Sequence, residues 1–180
     1  MNDAPLSGAL KDALNGLIAE RAGDADLVVV TDFGHGLIGP STVEKLVETA
    51  PFLAVNTQTN SANIGFNLIT RYPRADYICI DEPEARLAVG DKYSDLTAIA
   101  SDVLARRVPC PNIIVTHGRK GCVVHGDGVS TRSIPALTQS NSVRQSKLRR
   151  LKSLLSGPPT AMPRATLFIA KRPLPRAGLS

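Results

Sequence analysis

No apolar run in this sequence approaches the ~20 residues that a membrane-spanning helix needs; the run from Leu27 to Val30 stops at Thr31 and Asp32. The N-terminus lacks a basic start followed by an apolar stretch, so no signal peptide is expected and the cytoplasm is the default compartment. Cysteine is scarce. Cys79, Cys110 and Cys122 are odd in number and scattered, which excludes a disulfide framework and a CxxC metal knuckle and leaves free, buried or half-buried thiols. Acidic residues are absent from the last quarter of the chain. Residues 139–180 carry nine Lys and Arg and no acid, whereas residues 1–138 carry 12 Lys and Arg and all 16 Asp and Glu. The net charge of +5 therefore divides into −4 and +9. Such asymmetry marks either a nucleic-acid-binding tail or two stretches that do not belong to one fold.

What is present reads as one ordinary globular domain: 180 residues, 43% apolar and 21% charged. Apolar residues at helical spacing (Leu10, Ala13, Leu14, Leu17, Ile18) give a first helix ending near Gly23. Residues 27–31 form a β-branched run expected to be buried on both faces. Helix over 41–50, strand over 52–55, a polar Asn/Thr loop over 56–63, strand over 77–80 and helix over 82–89 follow. The apolar face of 94–108, with Ser94 as a possible cap and Pro109 beyond, gives another helix. Strand 112–116 precedes a tight loop, and Gly126-Asp127-Gly128 marks a hairpin between 122–125 and 129–134. This alternation predicts an α/β fold, a parallel sheet with helices on both faces. The tail has repeated Pro and isolated Leu, with some helical spacing over 140–156, and is expected to be largely disordered.

Three polar segments fall where strands end, the edge at which parallel sheets bind ligands. In Asp32-Phe33-Gly34-His35-Gly36 the glycines let backbone approach a ligand, and the carboxylate can hold a sugar hydroxyl or cap a plain turn. Asp81-Glu82-Pro83-Glu84 puts Asp81 and Glu84 three residues apart. That pair suits a hydrated Mg²⁺, which takes few carboxylates; it equally suits a helix start with Asp81 as N-cap and Glu84 closing a capping box. Thr116-His117-Gly118-Arg119-Lys120-Gly121 has glycines that free N–H groups for phosphate, with two cations between them, or is a turn with solvated cations. The Walker A spacing is absent.

In this order the three segments resemble the ribokinase-like (PfkB) carbohydrate kinases, nearest the heptose-7-phosphate kinase branch. Residues 28–38 (VVVTDFGHGLI) are similar to its strand-and-turn segment. Residues 77–88 (YICIDEPEARLA) are similar to the Asn-x-x-Glu motif that positions Mg²⁺ and phosphates, with Asp81 at the Asn position and Glu84 at the Glu position. Residues 113–124 (IIVTHGRKGCVV) are similar to the nucleotide-binding strand–turn–strand, with Thr116, Gly118 and Gly121 matching. The resemblance covers about residues 9–138. It implies an ATP- and Mg²⁺-dependent kinase of a sugar or sugar phosphate, with Asp32, Gly34 and Gly36 at the substrate, Asp81 and Glu84 at the metal, and Thr116, Gly118, Arg119, Lys120 and Gly121 at the nucleotide. Two parts of the pattern are missing: the residues that precede this region in the family, and the Gly-Ala-Gly-Asp motif whose Asp is the general base. A truncated, inactive kinase domain over 1–138 is therefore expected, followed by a non-family tail over 139–180. One permitted set of codons for residues 143–150, read one base later, spells Phe-Asp-Arg-Val-Ser-Ser-Gly-Asp, similar to the missing region. A reading-frame shift near Thr138 is the corresponding expectation. The rival readings are an adaptor binding nucleic acid through Arg144, Lys147, Arg149, Arg150 and Lys152, poorly supplied with stacking aromatics, and a nucleotide-binding α/β module without catalysis.

Overall fold

Alternation of buried and half-buried residues along the strands shows how the sheet is built. A computed structural model describes residues 4–59, 61, 63–136 and 165–170. Helix α1 (Gly8–Ala22) leads into β1 (Leu27–Asp32), helix α2 (Pro40–Thr49) into β2 (Leu53–Thr57), and a single 3₁₀ turn (Ile69–Arg71) into β3 (Tyr77–Asp81). Helix α3 (Glu82–Val89) follows directly. Short helix α4 (Leu96–Ala98), a π-helical stretch (Ile99–Leu104) and short helix α5 (Ala105–Arg107) then run on to β4 (Asn112–Thr116). The hairpin β5 (Cys122–Gly126) and β6 (Val129–Ile134) completes the body, turning at Gly128 with φ +73°.

The strand order is β6-β5-β4-β3-β2-β1-β7, with β1 to β4 mutually parallel. The predominantly parallel α/β sheet is the one the sequence pattern predicts. In register, Val28, Val30 and Asp32 stand beside Leu53, Val55 and Thr57, and Ile78 and Ile80 beside Ile113 and Val115. These residues and Val123 are buried on one face. The hydrophobic core joins that face to Ile18, Ala22, Val43, Leu46, Ala85, Ala88, Ile99 and Leu104 of the helices. Each such Ile or Leu contributes roughly 1.5–3 kcal/mol by leaving water. The opposite face carries Leu27, Val29, Tyr77, Cys79, Ile114 and Val124, all only half-buried. Among the described residues, the hydrophobic core lies against the first of these faces.

Two expectations are corrected. The helix after residue 94 is capped by Asp95, whose carboxylate accepts the Thr97 N–H at 2.8 Å, while the Ser94 N–H is bonded to Asp91 at 2.9 Å. The tail is expected to be largely disordered, yet Ala165–Ala170 (β7) pairs antiparallel with β1 at the sheet edge. Thr166, Phe168 and Ile169 favour extended backbone, the segment carries no charge, and β1 would otherwise present an unpaired edge. The rest of the tail, including 140–156, lies outside the described residues. Among those described, no helix is long and apolar enough to cross a membrane.

Candidate functional site

The C-terminal ends of β1 to β4 lie along one edge, and all three polar segments meet there. The first is built around Asp32, which is 1% exposed. Its Oδ1 accepts the Gly34 N–H at 2.9 Å; its Oδ2 accepts Tyr72 Oη–H at 3.1 Å and Arg71 at 3.3 Å. Burial raises the Tyr72 phenol well above its usual value; the Asp32 charge adds to this and Arg71 opposes it. Asp32 is therefore an anchor for the chain around it, with its carboxylate already supplied with donors. What faces the adjoining pocket, of about 230 Å³, is Gly34, Gly36, Asn63, Phe66, Asn67 and Arg71. Asn67 donates to the carbonyls of Asp32 (2.9 Å) and Gln58 (3.1 Å), and Asn63 to that of Phe33 (2.9 Å). Gly34 has φ +73°, and a Cβ there would come within 2.1 Å of Asn63 Nδ2. The glycine is thus required on both counts, conformation and space.

Asn63, Asn67, Arg71 and Tyr72 were not picked out from the sequence, where 56–63 reads only as a polar loop. The signal was present as a polar residue every fourth position (63, 67, 71). Without the fold, nothing connects that stripe to Asp32.

At the second segment the capping box is realised in full. Asp81 Oδ1 accepts the Glu84 N–H at 3.0 Å, and Glu84 Oε2 accepts the Asp81 N–H at 2.9 Å. Glu84 Oε1 also takes the Thr59 N–H at 2.9 Å, which ties the end of β2 to α3. Burial lifts the Glu84 carboxyl above the usual range; the N–H bonds from Asp81 and Thr59 pull it back, and the Asp81 charge pushes it up again. Asp81 is exposed, and each carboxylate keeps unused lone pairs. The cap and the metal role are therefore compatible. Among the described residues no three His, Cys, Asp or Glu gather as a ligand set.

The third segment is a tight turn. His117 N–H bonds Gly121 O at 2.8 Å, Lys120 N–H bonds His117 O at 3.0 Å, and Gly121 N–H bonds Gly118 O at 3.3 Å. The N–H groups of Gly118 and Arg119 open this one-turn helix and stay outside its own bonds. Arg119 and Lys120 are exposed. His117 Nε2 lies 2.6 Å from Glu82 Oε2, and Glu82 Oε1 takes Arg86 Nε–H at 2.9 Å. That bridge joins the turn after β4 to the first turn of α3. Asp81 and Thr116 are also register partners in the sheet. The expected nucleotide and metal residues are therefore neighbours. Residues 32–36 reach the same edge through Gln58 N–H, bonded to Asp32 O at 2.8 Å. A larger cavity, about 670 Å³, opens beside Asp76, Pro111 and His125, at the opposite ends of the parallel strands. Of its charged side chains, Arg74 and Asp76 are bonded to each other at 2.8 Å, and Asp127 lines it as well.

No family model matches the chain. Among curated proteins it is similar to the bifunctional protein HldE of Pelobacter propionicus, 21% identical over 137 residues, covering 75% of this chain and 28% of that protein. Among solved structures it is similar to the tetrameric inhibited form of Escherichia coli phosphofructokinase-2, with TM-score 0.58 and 10% identity, covering 77% of this chain and 46% of the other. It is also similar to pyridoxal kinase from Lactobacillus plantarum, with TM-score 0.50 and 16% identity, covering 76% and 59%. The chain thus spans less than two thirds of the length of each. The fold is that of the ribokinase-like kinases.

Proposed function

We propose that this ribokinase-like chain is the nucleotide-binding part of a carbohydrate kinase domain, acting on a sugar or sugar phosphate. One observation carries the reading: the 81–84 and 116–121 segments are joined side by side by the His117–Glu82 bridge, at the sheet edge that also holds residues 32–36. The backbone of Gly118 and Arg119, with Lys120, is suited to nucleotide phosphates. Glu84 and Asp81 would accept hydrogen bonds from the waters of a Mg²⁺ ion, whose charge offsets that of the phosphates. The pocket beside Gly34 and Gly36 is lined by polar side chains, Arg71 among them, of the kind that pair with sugar hydroxyls.

The sequence carries no Gly-Ala-Gly-Asp segment. A general base typically contributes ~10²–10⁴-fold to such a transfer, so this chain alone is expected to bind nucleotide without efficient turnover. Titrating ADP and ATP with and without Mg²⁺ tests the reading. Binding should be weak, similar for the two nucleotides, Mg²⁺-dependent, and reduced by Glu84→Gln and by Gly118→Val. If neither variant changes binding, the site assignment is wrong. Phosphoryl transfer to a sugar phosphate at ordinary kinase rates would contradict the proposed lack of turnover.

A further inference from the structure

Among the described residues, one buried side-chain oxygen has no hydrogen-bond partner: Thr59 Oγ1. Buried hydroxyls are almost always paired, and one that is not points to a water or ion that completes it. Thr59 follows the end of β2, on the same sheet edge as the three polar segments. Its own N–H is the group that donates to Glu84 Oε1 at 2.9 Å. The hydroxyl is therefore carried by a residue already locked to the proposed metal-side carboxylate. Glu84 takes one N–H on each oxygen, from Thr59 and from Asp81, so the Thr59 hydroxyl adds nothing to the protein's own bonding. For packing alone, valine has the same shape and no polar atom to strand. A Mg²⁺ ion that keeps its water shell presents outward-pointing O–H donors, for which a hydroxyl oxygen on the residue bonded to Glu84 is a matching acceptor.

We propose that Thr59 is a positioning residue of the Mg²⁺–nucleotide site, its Oγ1 accepting a hydrogen bond from a water of the metal's shell next to Glu84. This rests on the nucleotide-binding reading above and adds to it a third strand end, that of β2. Threonine at this position then has a ligand-side reason, although the sequence around it looks like any polar loop.

The test uses the full 180-residue chain and its Thr59→Val and Thr59→Ser variants. ADP affinity is measured by calorimetry across a Mg²⁺ series, and thermal unfolding is followed without ligand. Removing the hydroxyl should leave the ligand-free melting temperature equal or higher, because an unpaired buried oxygen is lost. The Mg²⁺ concentration for half-maximal ADP affinity should rise roughly 5–10-fold, the loss of one hydrogen bond to a charged group's water. Thr59→Ser should behave as the wild type, and metal-free ADP affinity should be the same in all three. An unchanged Mg²⁺ midpoint in Thr59→Val overturns the inference. A lower ligand-free melting temperature also overturns it, since the hydroxyl would then have a partner in the protein. Wild-type protein showing no Mg²⁺-dependent ADP binding overturns the reading of the site itself, and the inference with it. That outcome is seen before any variant is made, so the two failures are distinct.

Discussion

Replacing Asp32 with Asn separates an anchoring carboxylate from a ligand-holding one. The side chain is 2% exposed and receives three donors: Gly34 N–H at 2.9 Å, Tyr72 Oη–H at 3.1 Å and Arg71 at 3.3 Å. Asparagine keeps an oxygen for Gly34 but turns an NH₂ toward Arg71, a donor facing a donor. Losing one partner of a buried ion pair costs about 3–5 kcal/mol. Arg71 is 29% exposed and also bonds Ile38 O at 2.6 Å, so solvent and an alternative acceptor soften the loss. A destabilisation of about 2–3 kcal/mol is expected on that basis. Arg71→Met should cost a similar amount, because Asp32 would then be a buried charge with two neutral donors. The double variant should lose clearly less than the two single losses added together, since the residues are in contact. Urea unfolding followed by circular dichroism reads all three, and thermal unfolding should show a drop of roughly 10 °C for Asp32→Asn. If Asp32→Asn unfolds within ~0.5 kcal/mol of the wild type, the size of a neutral surface change, the anchoring argument is refuted.

Gly121→Ala should destabilise more than Gly118→Ala, although both glycines have positive φ. At Gly121 (φ +102°) a Cβ would stand 1.9 Å from Ile134 O, whereas at Gly118 (φ +53°) it meets nothing within 4 Å. Strain alone is worth about 1–3 kcal/mol at such positions, and the backbone clash adds to it only at Gly121; equal melting temperatures would contradict this. Burial pushes the Cys110 thiol up to about 11. In the folded protein at pH 8 it should therefore react far more slowly with iodoacetamide than in urea, which mass spectrometry can follow. The sign for stability follows: the unfolded thiol ionises first, so Cys110's contribution declines as pH rises from about 9 towards 11.

Local signals carried much of the architecture. The β-branched runs at 27–31 and 112–116, the 3.6-residue periods and Gly126-Asp127-Gly128 all state a short-range preference that tertiary contacts do not reverse. The capping box at Asp81 and Glu84 was legible for the same reason, because its partners are three residues apart. The cap at Asp95 was missed by one residue, a choice between neighbours that spacing does not rank.

From the sequence alone came an α/β order of elements, the split between an acidic body and a basic tail, and three polar segments at strand ends. Each depends on residues close together in the chain. Only the tertiary structure decided that Asp32 is enclosed by Arg71 and Tyr72, some 39 and 40 residues away. It also decided that Thr59 leans on Glu84 across 25 residues, and that 165–170 closes the edge at β1. A buried carboxylate is satisfied by whichever donors the fold brings within about 3 Å, and sequence periodicity contains no information about which strand ends become neighbours.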